Sequence, residues 1–197
     1  MEVWKSLGVQ ALTASDITRV ASQRLAEAYP ENRVVQLDIS SPKAIETLGS
    51  RYDLISAIDV LFHITSDDAY VAAIANVGRL LDGGGYFVLS ENLPHHELPR
   101  SRTQVNRTLE KVDQAIQKAG MRMIKRVPMF VVMNTPFDTQ WVPAAWLWRQ
   151  FMKPLVFLPW LGNLYGAALF PLECLLLKTI VEGPSTELVI CQKVQHT

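Results

Sequence analysis

The feature that most constrains this chain is a unit that recurs three times, in which an apolar run of strand length is followed by an aspartate. The runs span residues 9–14, 34–37 and 53–58, and they lead to Asp16, Asp38 and Asp59. Strands that alternate with helical stretches of this length are typical of a parallel sheet covered by helices on both faces. The sequence therefore predicts an α/β fold with the three aspartates at one edge of the sheet, where the carboxyl ends of parallel strands meet.

The pattern continues with a helix that starts at Ser66 and carries two acidic residues in its first turn. Ser is a favoured N-cap, and acids stabilise the positive end of the helix dipole. The apolar positions of this helix recur at helical spacing, and the glycines at 83–85 are expected to end it. A strand over 86–90, a polar loop over 91–102 and a helix ending at Gly120 are then predicted.

The last predicted strands span 129–133 and 187–193, and we expect them to close the sheet as an antiparallel pair. Between them lies an apolar insert, 134–185, which contains four of the five tryptophans and has no charged residue from 154 to 172. Proline and glycine interrupt this stretch, so we predict two or three short apolar helices rather than a bilayer span. Three roles stay open for the insert: a lid over an apolar substrate, an interfacial element that docks on a membrane or another chain, and additional core.

Composition limits the function classes. The 197 residues suit one domain, 1–197, with the insert as a cap. Lys+Arg and Asp+Glu both number 19, and no basic run exceeds two residues, so we expect no nucleic-acid partner. Cys174 and Cys191 lack metal-ligand spacing, so no metal is predicted. No apolar leader is evident, so we expect a cytoplasmic protein, with membrane association through 143–181.

Several segments carry a family resemblance: 13–18, 34–40, 52–64 and 79–90, the last with two leucines, one intervening residue, three glycines and then a strand. On these segments the chain resembles the class I S-adenosylmethionine-dependent methyltransferases, over about residues 4–133 and again near 187–193. The resemblance implies a Rossmann-like methyltransferase sheet, S-adenosylmethionine as cofactor and methyl transfer to a small-molecule, lipid or glycan acceptor.

The resemblance also assigns roles to individual residues. Asp16 would bind the ribose hydroxyls and Ile17 would pack against the adenine. Asp38 would accept a hydrogen bond from the adenine amino group, with Ile39 beside the ring. The methionine end would be lined by Ala57, Ile58 and Asp59.

From the residues themselves, each aspartate is either a ligand contact or a cap of the turn that follows it. His63 is either a general base at the mouth of the site or a histidine that supports its loop. Further substrate contacts are predicted at His95, His96, Arg100 and Trp141.

The chain departs from the family pattern at one place. The family's first strand and its turn of the form D/E-x-G-x-G-x-G should precede Asp16 by about 20 residues, but 15 residues precede Asp16 and Gly8 is their only glycine. Glycine permits the close backbone approach that such a turn makes to the cofactor. We therefore predict an N-terminally truncated sheet, weak cofactor binding and either a rearranged sheet or a homodimer that lends a strand. The alternative function is a non-catalytic methyltransferase-like partner or membrane-associated protein.

Overall fold

The computed structural model describes residues 1–136, 138, 142–158 and 160–195. Seven helices and six strands alternate along the described chain. In chain order they are α1 (Glu2–Ser6), β1 (Thr13–Asp16), α2 (Arg19–Ala28), β2 (Arg33–Gln36), α3 (Ala44–Leu48), β3 (Tyr52–Ala57), α4 (Asp67–Leu80), β4 (Leu81–Asn92), α5 (Leu109–Lys118), β5 (Met121–Pro128), α6 (Val142–Phe157), α7 (Leu161–Thr179) and β6 (Thr186–Lys193). The predicted α/β fold is confirmed.

The strands form two separate sheets. β1 and β2 pair in parallel, whereas the other four strands are ordered β3-β4-β6-β5, with β3 parallel to β4 and β6 antiparallel to both of its neighbours. Within the described residues, β1 and β3 are therefore each paired along one edge only. The prediction that an antiparallel pair closes the sheet is confirmed, and β5 and β6 form this pair.

The main core lies against the four-stranded sheet. Buried side chains from several elements meet there, among them Tyr70 and Ile74 of α4, Phe87 of β4, Ile116 of α5 and Val189 of β6. A second, smaller core joins Leu37, Ala44 and Leu48 to Leu80 at the end of α4. Helix α4 thus contributes to both cores and connects the two sheets.

Two predicted boundaries are wrong: the position of the first strand of the closing pair and the end of α4. The structure places the first strand of that pair at Met121–Pro128 rather than at 129–133, because Gly120 ends α5 in a left-handed conformation and the chain re-enters the sheet at once. The backbone N–H groups of residues 131–133 instead donate to the carboxylate of Glu173. The glycines at 83–85 do not end α4, which stops at Leu80, because β4 begins at Leu81 and runs to Asn92.

The apolar insert contains two helices, and both are longer than predicted. α6 has 16 residues and α7 has 19, with Pro154 and Pro171 inside them rather than at their ends. A tilted ring contact between Phe151 and Tyr165, with centroids 4.9 Å apart, joins the two helices.

Within the described chain, none of the helices combines the length and the apolar character needed to cross a bilayer.

Candidate functional site

The carboxyl edge of the strands brings Asp16 and Asp38 onto neighbouring turns. Asp16 is the last residue of β1 and pairs in register with Gln36, the last residue of β2. The backbone N–H of Leu37 donates to the carbonyl of Asp16 at 2.8 Å, so the ladder continues one residue past the strand. Asp38 follows directly, and the sheet therefore positions both carboxylates at its end.

Each of these two carboxylates caps its own turn with one oxygen. Oδ1 of Asp16 accepts hydrogen bonds from the backbone N–H and the hydroxyl of Thr18, both at 2.7 Å. Oδ1 of Asp38 accepts the same pair from Ser40, at 2.9 and 2.7 Å. Within the described chain, Oδ2 of either acid makes no protein hydrogen bond, so one oxygen of each carboxylate is free to accept from a ligand.

Asp59 is held differently, by the adjacent strand. Its backbone N–H donates to the Ser90 hydroxyl at 2.7 Å, and that hydroxyl donates to Oδ1 of Asp59 at 2.8 Å. Among the described residues other than glycine, Asp59 alone has a positive φ, 55°. Such conformations persist where the surroundings fix them, and they cluster at functional sites. The sequence prediction did not include Ser90, since its role depends on the pairing of β3 with β4.

Apolar side chains flank these acids. Ile17 and Ile58 are exposed, and Ile39 is half-buried against both cores. Ala57, at the end of β3, packs beside the main core. An exposed isoleucine next to each of two polar turns offers a surface on which a flat aromatic ring can pack.

His63 lies on a single 3-10 turn, Leu61–His63, next to the end of β3. Its Nδ1 lies 3.0 Å from the carbonyl oxygen of Thr103, and the carbonyl of Phe62 accepts from the backbone N–H of Val105 at 2.8 Å. The histidine is exposed and joins this turn to the loop between β4 and α5. This geometry supports the interpretation of His63 as a histidine that holds its loop, and its ring remains accessible from solvent.

The other predicted substrate contacts are engaged with acids. Arg100 forms a two-point ion pair with Asp67, at 2.7 and 3.1 Å. His95 and His96 both approach Asp138, with Nδ1 of His95 2.5 Å from its carboxylate, and that hydrogen bond raises the pKa of His95. The structure thus brings the two histidines to one carboxylate, while Arg100 lies against the start of α4. Trp141 lies outside the described residues.

A buried polar cluster beside Asp59 was missed by the sequence prediction. Glu91 was assigned to a polar loop, but it lies in β4 and is buried, with Tyr70 and Arg107 as neighbours. The Arg107 guanidinium carbon lies 4.0 Å from the centre of the Tyr70 ring. Within the described chain, both oxygens of Glu91, the Tyr70 hydroxyl and Nη1 of Arg107 have no hydrogen-bond partner.

Burial raises the pKa of Glu91 to about 8, against the opposing effect of Arg107. A carboxyl with this pKa exchanges a proton near neutral pH, which is what general acid–base chemistry requires. Buried polar groups without partners are normally satisfied by ordered water or a ligand. Burial alternates over residues 85–89 of β4 and then stops, with residues 89–92 all buried, so no alternating pattern marks Glu91 as part of the strand.

The region that precedes β1 contains α1 and Gly8. Gly8 has φ 85°, and a Cβ built on it would meet no atom within 4 Å. This glycine terminates α1 rather than forming part of a glycine-rich turn, since residues 1–12 contain no other glycine. Residues 1–12 therefore contain no turn of the form D/E-x-G-x-G-x-G.

Comparison with solved structures finds the same arrangement of elements in many proteins. The O-methyltransferase StiE O-MT matches with a TM-score of 0.57 and 16% identity, over 100% of this chain and 63% of that one. An O-methyltransferase from a trans-AT PKS multienzyme of Brevibacillus brevis, solved with S-adenosyl-L-homocysteine, matches with a TM-score of 0.58 and 15% identity, over 98% and 62%. The [4+2]-cyclase SpnF matches with a TM-score of 0.57 and 15% identity, over 94% and 68%.

These likenesses concern the fold, since the identities are 15–16%. The chain spans between 62% and 68% of the length of these three structures. No family profile and no curated protein sequence matches the chain.

Proposed function

This chain has the fold of class I methyltransferases, and we propose that it acts as an S-adenosylmethionine-dependent methyltransferase on a small-molecule, lipid or glycan acceptor. The observation that carries the proposal is the pair of carboxylates of Asp16 and Asp38, on neighbouring turns at the carboxyl edge of the sheet. Oδ1 of each caps its own turn, and among the described residues Oδ2 is free to accept from a ligand. Ligands of open α/β sheets bind at this edge.

The residues present fit the adenosine half of the cofactor. The free oxygen of Asp16 suits ribose hydroxyls, and that of Asp38 suits an adenine amino group. The exposed Ile17 and the half-buried Ile39 provide apolar surface for the adenine ring. These are the positions and residue types that the family resemblance assigns to the same contacts.

The residues present offer fewer contacts to the methionine half of the cofactor. Ala57, Ile58 and Asp59 at the end of β3 are available, and one oxygen of Asp59 is engaged by Ser90. No glycine-rich turn in residues 1–12 adds backbone donors opposite them. We therefore propose that the affinity of these 197 residues for the cofactor comes almost entirely from its adenosine half.

When bound, S-adenosylmethionine supplies an electrophilic methyl group, and the chain's own residues orient the acceptor and accept its proton. Two groups are suited to proton transfer: His63, which is exposed beside the site, and Glu91, whose pKa is about 8. His63 follows the end of β3 and Glu91 is the second-last residue of β4, directly after the Ser90 that tethers Asp59. Orientation of the acceptor by the surrounding loop would provide most of the rate enhancement in such a reaction.

The test compares adenosine with S-adenosylhomocysteine by calorimetry. Both should bind weakly, with affinities within about threefold of each other, because the methionine half adds few contacts. Asp16→Asn should weaken both by roughly 5- to 150-fold, the 1–3 kcal/mol expected for a lost contact to a buried polar group. The asparagine carbonyl still caps the turn at Thr18, so thermal stability should not change. Asp53→Ala, at the amino end of β3, is the matched control and should leave binding unchanged.

Two results would contradict these proposals separately. Absence of adenosine binding up to millimolar concentration would remove the enzymatic function from this chain. If S-adenosylhomocysteine instead bound more than tenfold more tightly than adenosine, another segment would hold the methionine half.

The second candidate function is a non-catalytic methyltransferase-like partner or membrane-associated protein. It is favoured by the unpaired edges of β1 and β3 in the described chain. SpnF has a similar fold and is described as a cyclase, so the fold alone does not determine the reaction. The adenosine titration separates the two candidates.

A further inference from the structure

The helical hairpin formed by α6 and α7 exposes an unusual amount of apolar surface. Ten large apolar side chains between residues 146 and 175 are exposed to solvent. The most exposed lie around the turn between the helices, where Phe157 is 73% and Trp160 is 70% accessible. Soluble monomers rarely present contiguous apolar patches of this kind, and such patches mark interaction sites.

The hairpin exposes its positive charges and buries its negative charge. Its cationic side chains, Arg149, Lys153 and Lys178, are all exposed. Its acid is Glu173, which is 3% accessible, and the Glu173 carboxylate accepts hydrogen bonds from the backbone N–H groups of residues 131, 132 and 133 at 2.6–3.3 Å. The described outer surface of 146–179 therefore combines apolar side chains with positive charge alone.

The inner side of the hairpin is attached to the domain. Besides Glu173, the indole N–H of Trp148 donates to the carbonyl of Val132 at 3.0 Å. The Phe151–Tyr165 ring contact joins α6 to α7, so these bonds hold the two helices together and attach them to the domain. Phe157 and Trp160, which flank the turn, nevertheless stay exposed to solvent.

The sign of the charges distinguishes between possible occupants. A second copy that met this face through a twofold axis would bring the same cations together, because such an interface pairs identical patches. An anionic bilayer accepts the apolar turn among its acyl chains and the cations among its phosphates. Tryptophan and phenylalanine beside basic residues are the side chains that interfacial elements use, and neither helix is suited to span the membrane.

We propose that the α6–α7 hairpin docks the protein on anionic lipid bilayers, with Phe157 and Trp160 inserted at the headgroup level and Arg149, Lys153 and Lys178 beside lipid phosphates. The hairpin lies on the membrane rather than crossing it. The proposal does not depend on catalysis, since it rests on the hairpin alone.

Sedimentation with vesicles tests the proposal. The chain should bind vesicles of phosphatidylcholine and phosphatidylglycerol in a 7:3 ratio, and bind pure phosphatidylcholine at least tenfold more weakly. The double variant Phe157→Glu, Trp160→Glu should lose binding to both, because it places charge in the inserted turn. The matched control Val3→Glu, Leu7→Glu changes two equally exposed apolar residues of another element and should bind like the unmodified chain.

The cations are tested separately. Replacing Arg149, Lys153 and Lys178 by Gln should weaken binding to the anionic vesicles by about fivefold for each charge removed, and added salt should have a similar effect. Circular dichroism of each variant verifies its fold. Binding that is equal for both vesicle compositions would overturn the proposal. So would light scattering that shows self-association lost in the double variant with no vesicle binding by the unmodified chain.

Discussion

The two sheets differ in how completely their strand edges are paired. In the closed half, β4, β5 and β6 with α4 and α5, strands β4 and β6 are each paired along both edges. In the open half, residues 13–48, β1 and β2 pair only with each other among the described strands. Side chains of β4 are mostly buried, whereas β1 and β2 contain no fully buried residue.

This difference separates stability from the candidate site. The main core belongs to the closed half, and the smaller core of Leu37, Ala44, Leu48 and Leu80 holds the open half to it. Asp16 and Asp38 lie in the open half. Ligand-binding elements are commonly drawn from the less stable part of a protein, and a ligand that binds them stabilises that part by mass action.

The largest expected effect comes from the same truncation made in each half. Leu89→Ala in β4, where the side chain is 0% accessible, should lower the free energy of unfolding by about 4 kcal/mol, because the packed core cannot collapse around the cavity. Leu37→Ala beside β2, at 8%, should cost about 2 kcal/mol. Urea unfolding measures both, and equal losses would show that the halves are equally well packed.

The second prediction contrasts the acids of the two halves through pH. Glu91 in the closed half keeps its proton up to about pH 8, whereas the unfolded chain releases it near its ordinary pKa of 4.5. Unfolding therefore releases a proton in this window, and stability should fall as pH rises from 5 to 8, by up to about 1.4 kcal/mol per unit. Glu91→Gln should remove this slope, which urea unfolding at several pH values measures.

The control is Glu97→Gln, an exposed acid that should leave the slope unchanged. His95 also loses stabilising charge as pH rises through its raised pKa, but its contribution is common to all three proteins and cancels in the differences. A slope that is the same with and without Glu91 would mean that Arg107 and Tyr70 hold it charged, against the opposing negative charge of Asp59.

The third prediction concerns the contact that joins the two halves. The buried side-chain amide of Asn76 in α4 donates to the carbonyls of Ile39 and Ser41, at 2.8 and 2.9 Å. Asn76→Ala leaves both carbonyls without this donor and should cost about 1–3 kcal/mol. Hydrogen exchange should accelerate in β1 and β2 while the β4 and β6 amides stay protected.

Asn32→Ala is the comparison variant, since the Asn32 amide bonds only to Glu31 at the surface and should contribute within about 0.5 kcal/mol. If Asn76→Ala accelerated exchange equally in all strands, the two halves would unfold as one unit and the distinction between them would fail.

The elements of both halves were predictable where their signals are local. The N-cap Ser66, the three aspartates and the left-handed Gly120 depend on a few adjacent residues, and their places in the structure follow from sequence spacing. The fold class followed from the alternation of strands and helices, which is also a short-range pattern.

The errors occur where partners distant in sequence decide the conformation. Residues 129–133 have strand-like side chains, but the Glu173 carboxylate, some 40 residues away, takes the N–H groups of three of them. The Glu91 cluster depends on Arg107 and Tyr70, and the position of Asp59 depends on Ser90. No local pattern contains these pairs, and the predicted homodimer and membrane contact likewise depend on surfaces rather than on sequence runs; they stay predictions.

The smallest expected effect compares two helix caps of similar geometry, one in each half. The Ser66 hydroxyl accepts from the Ala69 N–H at 3.3 Å at the start of α4, and the Thr18 hydroxyl accepts from the Ala21 N–H at 3.2 Å at the start of α2. Each cap is worth about 1 kcal/mol, so Ser66→Ala should lower the free energy of global unfolding by that amount. Thr18→Ala removes an equal cap bond from a helix of the open half, which is held by the smaller core, and it also removes the hydroxyl bond to Oδ1 of Asp16. If that half opens before the rest of the protein, Thr18→Ala should accelerate hydrogen exchange of α2, β1 and β2 by about fivefold and leave the slowest amides of β4 and β6 unchanged. Ser66→Ala should accelerate both groups, because α4 contributes to both cores. Identical exchange patterns for the two variants would show that the two sheets do not open separately.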